Sequence, residues 1–330
     1  MKKAIGIREF ARRLGVSTTT ISHAISGHRP VQEETRKMIF EKMREWNYTP
    51  SLNARRLVTS SSNLIAFVSE EGHPEEDLYQ MQVIRYICQE LRKDHYDLLL
   101  DLRPSDDKMR MMQLIERVRA RGVDGSIYLG RSFTRAELEE LSSPQCPCVY
   151  ADNVLHDPQP NVCYLCVDAR DAYRDAFGYL HDKGCKKILL VARHKDDCTW
   201  MFWHELLEQS DWSVAADIFT AEDELDAVQK AGEALADQKF DAIIVRTTPQ
   251  LSGVLMALKQ LGIQPGKDVE LIGHGDEPRL DAARQPVGIC AFSYKHFGEV
   301  AVQSLLDMIR TQELNPPVKV IREKFFPFQP

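Results

Sequence analysis

A short, hydroxyl-rich stretch near the start of the chain carries side chains suited to binding chemistry. Residues 15–27 read GVSTTTISHAISG. Ser17 is a favoured N-cap residue, and Ile21, Ala24 and Ile25 recur at the spacing of a helical apolar face. Threonine is a mediocre helix former, so several threonines on the solvated side of a helix indicate a contact surface. Their hydroxyls donate and accept hydrogen bonds, and a threonine methyl can pack against the methyl of thymine.

Two more helices are predicted to hold this stretch. Residues 7–14, IREFARRL, place apolar side chains at i, i+3, i+4 and i+7, and Gly15 ends the pattern. Residues 33–48 carry Ile39 and Met43 on one helical face. Two short helices joined by a tight glycine turn, with a third completing a small core, are typical of a helix-turn-helix unit, whose second helix enters the DNA major groove. The DNA-binding residues predicted on that helix are Ser17, Thr18, Thr19, Thr20, Ser22 and His23.

Charge is distributed unevenly along the chain. Residues 1–62 contain twelve basic and five acidic residues, a net charge of +7, whereas the remaining 268 residues have a net charge of −14. A basic head on an acidic body indicates that the head meets a polyanion such as nucleic acid. By charge alone, a solvated lysine- and arginine-rich surface explains the pattern equally well. The helix spacing favours DNA binding over a three-helix domain with a merely solvated threonine face.

Residues 7–57 resemble the N-terminal domain of lactose-repressor (LacI/GalR-type) transcription regulators. The resemblance rests on Gly-Val-Ser before the second helix, E-x-T-R in the third helix, and a closing pattern of Tyr, Pro, Ala-Arg and Leu. Two positions depart from the family pattern. His23 stands where the family usually has arginine, and Gln32, a poorer cap, precedes the third helix where serine is usual.

Residues 50–62, PSLNARRLVTSSS, contain a helix too short to be stable alone in water, followed by a serine-rich linker. From the residues alone, this segment can be a plain tether. The resemblance implies instead a hinge helix that folds on DNA, pairs with its dimer mate in the minor groove and wedges a leucine between bases. The hinge residues that the resemblance implies as DNA-binding are Asn53, Ala54, Arg55 and Leu57.

The body of the chain alternates apolar strands with amphipathic helices, which predicts an α/β fold of parallel sheets. Its length indicates two lobes, and ligands of such sheets bind beyond the carboxyl ends of the strands. The resemblance implies a two-lobed, periplasmic-binding-protein-like core that dimerises. The expected divisions are 1–49 for the helix-turn-helix domain, 50–62 for the hinge helix and linker, and 63–330 for the core, with lobes at 63–163 plus 291–319 and at 164–290 plus 320–330.

The cleft between the lobes is the expected effector site. Most of the bidentate Arg and Asp groups with which the family grips sugars are replaced here, which argues against a simple neutral sugar. A sugar derivative or an anionic metabolite is the alternative, because Arg131 and Arg246 suit an anion, although an arginine at a strand end is commonly part of a surface ion pair. The effector-pocket residues predicted are Leu129, Arg131, Asp152, Thr199, Arg246, Thr247 and Asp276.

Other classes of function find less support in the sequence. Cys146, Cys148, Cys163 and Cys166 lie in strand patterns, where alternate side chains diverge, so buried thiols are expected rather than a metal site. His274 near Asp276 is the nearest approach to a catalytic dyad; a strand end explains it, and no enzyme activity, catalytic residue or cofactor is expected. A solute-binding protein would need a secretion signal and no basic head.

The sequence therefore predicts a cytoplasmic regulator without membrane contact that binds a palindromic operator in double-stranded DNA as a homodimer. The family resemblance implies a repressor modulated by a small-molecule effector. A regulator whose core no longer senses a small molecule is the main alternative.

Overall fold

A computed structural model gives the fold of most of the chain. The residues that it describes are 5–26, 29–48, 61–71, 77–104, 116, 118, 120, 122–129, 136, 139–140, 146–152, 159, 161–193, 198–209, 214–276, 286–311 and 318–328.

The N-terminal head contains the three predicted helices. They are α1 (Ile7–Leu14), α2 (Thr18–Ser26) and α3 (Glu33–Glu45). Gly15 ends α1 in the left-handed conformation, with φ of 73°, and its N–H donates to the carbonyl of Ala11. Glycine adopts this conformation without the penalty that a Cβ imposes, so the turn between α1 and α2 stays tight.

A small apolar core holds the three helices together. Phe10 and Ile21 are fully buried between α1, α2 and α3, and Phe10 stacks on Tyr48 with ring centroids 4.3 Å apart. Trp46 meets the edge of Phe10 at 5.4 Å. Gln32 makes no capping bond to α3, as its side chain predicts. The helix-turn-helix prediction is confirmed.

The first lobe is built on a six-stranded sheet in the order β11-β5-β4-β3-β1-β2, all parallel. Helices α4 (Asp77–Lys93) and α9 (Tyr294–Thr311) pack on one face of it. The strands of this sheet are β1 (Leu64–Glu71), β2 (Asp97–Pro104), β3 (Gly125–Leu129), β4 (Cys148–Asp152), β5 (Val162–Asp168) and β11 (Lys319–Arg322).

The second lobe is built on a sheet in the order β12-β10-β9-β8-β6-β7, in which only β12 is antiparallel. One face carries α5 (Arg170–Asp182) and α6 (Cys198–Gln209), and the other carries α7 (Glu224–Asp237) and α8 (Thr248–Leu261). The strands of this sheet are β6 (Lys187–Ala192), β7 (Ala215–Thr220), β8 (Ala242–Val245), β9 (Glu270–Asp276), β10 (Gly288–Phe292) and β12 (Lys324–Phe326).

In the described part of the core, the chain passes between the lobes three times, and each crossing begins at the carboxyl end of a strand. The crossings follow β5, β10 and β11, so the carboxyl edges of the two sheets face each other. They lie at 168–170, 292–294 and 322–324, a few residues beyond the expected lobe boundaries. The difference arises because a strand stays in one sheet for its whole paired length, as β5 and β11 do.

Cys148, Cys163 and Cys166 lie in strands, as the sequence predicts, whereas Cys146 lies in a bend just before β4. Cys163 faces the α4 and α9 side of the first sheet, whereas Cys146 and Cys148 face the opposite side. All three thiols are buried. In the described part of the chain, no three His, Cys, Asp or Glu side chains are grouped as metal ligands. None of the described helices is both long and apolar enough to cross a bilayer.

Candidate nucleic-acid interface and interlobe cleft

The N-terminus of α2 is organised by its own hydroxyls. The Ser17 hydroxyl accepts a hydrogen bond from the Thr20 N–H at 2.9 Å, and the two side-chain oxygens are 2.8 Å apart. Ser17 is therefore the N-cap that the sequence predicts, and Thr20 supports it. The remaining backbone N–H groups of the first turn point out of the helix, where the helix dipole favours an anion such as a DNA phosphate.

Four side chains form the outward face of α2. Thr18 and Thr19 are exposed, and Ser22 and His23 are half-buried. The Nδ1 atom of His23 is buried and has no hydrogen-bond partner among the described residues. Nε2 is the other ring nitrogen of His23. It can make one hydrogen bond to a base edge, whereas an arginine could make a bidentate pair.

An acidic residue restrains two of the basic residues of the head. Glu9 accepts hydrogen bonds from Arg12 at 2.7 and 2.9 Å and from Arg13 at 2.8 Å. These hydrogen bonds, of which those from Arg12 have the largest effect, lower the pKa of the exposed Glu9 carboxyl to about 2. The pairs hold both guanidinium groups on one side of α1, although exposed pairs of this kind contribute little to stability.

The predicted hinge residues Asn53, Ala54, Arg55 and Leu57 lie outside the described residues. The end of the linker is described and is anchored to the core. The Asp124 carboxylate accepts bonds from the Ser61 hydroxyl, the Ser62 N–H and hydroxyl, and the Asn63 N–H, at 2.5 to 2.9 Å. The serine-rich sequence predicts a flexible tether, whereas Ser61 and Ser62 are fixed beside the start of β3.

Strand order places the cleft where the sequence expects it. In the first sheet, β1 and β3 are neighbours whose chain connections leave in opposite directions, and in the second sheet β6 and β8 are such a pair. Ligands of open α/β sheets bind at such points, beyond the carboxyl ends. Leu129 ends β3 and is buried, and Arg246 and Thr247 directly follow β8. Arg193, half-buried, follows β6 at the same edge.

The other predicted pocket residues are placed as follows. Asp276 ends β9, is buried, and accepts a bond from the Tyr294 N–H at 3.3 Å. Asp152 ends β4 and Thr199 lies in the first turn of α6. Arg131 lies outside the described residues. The fold thus brings Arg246, Thr247 and Asp276 to one edge of the second sheet.

A charged cluster that the sequence does not reveal occupies this edge. His274 Nε2 lies 3.1 Å from Glu323 Oε1, and Arg246 lies 4.0 Å from the same oxygen. Burial alone would raise the pKa of Glu323, but the charges of His274 and Arg246 outweigh it and hold that pKa below its ordinary value. Glu323 comes from the third crossing, where its N–H donates to the Asp168 carbonyl at 2.9 Å.

A buried aromatic group lies beside this cluster, with the rings of Phe292 and His274 6.2 Å apart between centroids. Tyr79 of α4 lies 5.2 Å from Tyr294 and 6.3 Å from Phe292, measured between ring centroids. Burial, with the nearby Tyr294 hydroxyl, raises the pKa of Tyr79, and Arg246 opposes that rise. Buried aromatic and ionisable side chains therefore meet where the chain crosses between the lobes.

Comparison with known proteins finds transcription regulators with the same two-part organisation. The sequence model described as "Bacterial regulatory proteins, lacI family" matches residues 6–51, and "Periplasmic binding protein-like domain" matches residues 177–325. The chain is 25% identical to the HTH-type transcriptional regulator MalR of Streptococcus pneumoniae over 260 residues, covering 71% of this chain and 77% of MalR. It is 25% identical to catabolite control protein A of Priestia megaterium over 293 residues, covering 86% and 85%.

A solved structure shares the fold over almost the whole chain. The Lac repressor dimer bound to operator and the anti-inducer ONPF aligns with a TM-score of 0.82 and 17% identity, over 99% of this chain and 98% of that one. A helix-turn-helix head on a two-lobed core of parallel sheets defines a DNA-binding transcription regulator. The chain carries a DNA-binding domain of the lacI family of bacterial regulatory proteins, followed by a periplasmic binding protein-like domain.

Proposed function

We propose that this regulator binds a dyad-symmetric operator as a homodimer, represses transcription there, and is modulated by a small molecule in the interlobe cleft. The observation that carries the DNA-binding part is the capped N-terminus of α2, which presents Thr18 and Thr19 to solvent above a small buried core. Short side chains at this position allow the backbone to approach base edges closely. The relatives are transcription regulators, and we propose no enzymatic role.

The homodimer is supported by an apolar strip at one edge of the first lobe. Leu100 and Leu102 are 47% and 37% exposed on the edge strand β2, and Met81 on α4 is 58% exposed. Leu98 packs towards α4, so the alternation of strand side chains places Leu100 and Leu102 on that same face. A second copy is the proposed cover, because a two-fold dimer matches the two half-sites of a palindrome. The Lac repressor in the aligned structure is itself a dimer on operator DNA.

DNA selection tests the DNA-binding proposal. Selection from random DNA with the full chain should return two inverted half-sites about two helical turns in total length. His23→Arg should change preference at one base pair per half-site towards guanine, by about 1–3 kcal/mol, because arginine adds a bidentate contact to O6 and N7. Lys37→Gln, which removes an exposed cation on α3, is the control for uniform phosphate effects.

Two outcomes would count against this proposal. A single non-symmetric site would reject the dyad. An unchanged consensus for His23→Arg, with only a uniform change in affinity, would make His23 a phosphate contact.

The effector part of the proposal is tested separately. A compound that binds the folded core raises its apparent stability by mass action and should change operator affinity. The measurement is a thermal-shift screen of the full chain with sugars, amino sugars and sugar phosphates, followed by operator binding with each hit. The second candidate, a core that senses no small molecule, is favoured by one observation: Arg246 is already paired with Glu323. Absence of any hit that alters operator affinity would support this candidate.

A further inference from the structure

Three ionisable side chains form a cluster beside the proposed cleft, which we call the floor cluster: Arg246, His274 and Glu323. They reach the carboxyl edge of the second sheet from β8, β9 and the third crossing. The Glu323 side chain is 0% exposed, His274 10% and Arg246 14%. Such burial makes an uncompensated charge costly, so Glu323 and the two basic groups depend on one another.

The floor cluster is balanced without an outside anion. Glu323 Oε1 lies within 4.0 Å of both Arg246 and His274. Asp276, buried two residues beyond His274 on the same strand, adds a second acidic group at this edge. An incoming phosphate or carboxylate would have to compete with Glu323 for Arg246 and would be repelled by it. Arg193, half-buried, follows β6 at the same edge.

One oxygen of the floor cluster still lacks a donor. Glu323 Oε2 is buried and accepts no hydrogen bond from the described residues. A buried carboxylate oxygen gains free energy from a hydroxyl or ammonium donor and none from an anion. The rings of Tyr79, Phe292 and Tyr294 pack against one another beside the floor cluster.

We propose that Glu323 is a specificity-determining residue, which prevents Arg246 and His274 from forming an anion site and selects a ligand that presents a hydroxyl or ammonium group to the cleft floor. This inference rests on the proposed small-molecule site in the cleft. It differs from the sequence expectation, in which Arg246 suits an anionic metabolite.

Removing the Glu323 charge should create the anion site that the residue prevents. The probe is inorganic phosphate, titrated into the full chain by calorimetry with wild type, Glu323→Gln, Arg246→Gln and the double variant. Glu323→Gln should bind phosphate at one site where wild type binds it at least tenfold more weakly. The variant with both Glu323→Gln and Arg246→Gln should lose that gain. Phosphate bound by the basic head is common to all four proteins, because no substitution lies in residues 1–62.

Two outcomes would overturn the inference. One is a phosphate affinity of Glu323→Gln equal to that of wild type in a protein with native circular dichroism. The other is phosphate binding by the wild-type protein through Arg246, which would be seen as weaker phosphate binding in Arg246→Gln. The comparison of wild type with Arg246→Gln also tests the inference if Glu323→Gln fails to fold. Glu323→Asp keeps the charge and should not gain phosphate binding.

Failure of the effector proposal gives a different result. The gain of phosphate binding depends only on the floor cluster and is measured without DNA. If the gain appears and no compound alters operator affinity, the role of Glu323 stands and effector control of DNA binding does not.

Discussion

The Ser17 hydroxyl allows the stability of the recognition helix to be separated from its contact with DNA. Ser17→Ala removes the oxygen that accepts the Thr20 N–H at 2.9 Å. Loss of an N-cap costs about 1 kcal/mol, with a range of about 0.5–2. A change of about 1 kcal/mol shifts a folding equilibrium about fivefold, which matters in a head whose core contains only a few buried side chains.

Ser17→Asp retains a capping oxygen and adds a negative charge. Aspartate caps as well as serine and interacts favourably with the helix dipole, so α2 should be as stable as in wild type. A phosphate about 4 Å from the new carboxylate would be repelled by about 1 kcal/mol in water, and by more where water is excluded. Ser17→Asp should therefore lose at least about fivefold in DNA affinity without loss of helix stability.

Two measurements on the full chain distinguish these effects. Hydrogen exchange followed by mass spectrometry should show α2 amides exchanging about fivefold faster in Ser17→Ala and at the wild-type rate in Ser17→Asp. Fluorescence anisotropy with operator DNA should show weaker binding for both. Ser252→Ala, which removes an exposed hydroxyl from α8 in the second lobe, should change neither. Fast α2 exchange in Ser17→Asp would refute the capping argument, and wild-type DNA affinity in that variant would refute the placement of phosphate at this helix end.

Three more predictions concern the core. Leu100→Lys should shift the protein from dimer to monomer in analytical ultracentrifugation. The control is Val320→Lys, because Val320 is 48% exposed on the opposite edge strand and its substitution should leave the dimer intact. A Leu100→Lys variant that remains dimeric would reject the apolar strip as the interface. The Glu323 carboxylate has a lowered pKa in the folded state, so its stabilisation is present above its ordinary pKa and lost as pH falls through the lowered value. Urea unfolding at pH 7 and pH 4 should therefore show a smaller acid-induced loss in Glu323→Gln than in wild type, and equal losses would contradict the argument. Asp124→Asn should weaken operator binding more than it lowers the unfolding free energy, because it loosens the anchor of Ser61 and Ser62; an unchanged operator affinity would show that the anchor does not position the head.

The head could be predicted from sequence because its signals are local. Gly15, Ser17 and the apolar spacing of α1 fix the first two helices within a span of about twenty residues. The central strands were equally accessible, since β3, β6 and β8 are short, largely apolar runs buried on both faces. In each of these elements, the residues that define the structure are close together in the chain.

Three of the edge strands, β7, β11 and β12, were not accessible in the same way. β7 is only partly buried, and β11 and β12 are four and three residues long. Their pairing depends on distant strands: β11 pairs with β5, and β12 with β10. Short strands with one exposed face carry little periodic signal, so sequence reasoning placed the lobe boundaries a few residues early.

The charge of the candidate site follows from the same long-range pairing. Arg246 stands out in the sequence because it follows an apolar strand, where an arginine suits either an anionic ligand or an ion pair. Its partner, Glu323, is 77 residues further along the chain in a crossing without a sequence motif, and His274 reaches the same carboxylate from the intervening strand. A residue's type indicates the charge that it can carry. The ligand that a site accepts depends instead on the net charge that remains once the side chains of the site have formed ion pairs with one another. For this cleft, the pairing replaces an expected anion site with a floor that favours hydrogen-bond donors, and that reversal is what the Glu323→Gln titration measures.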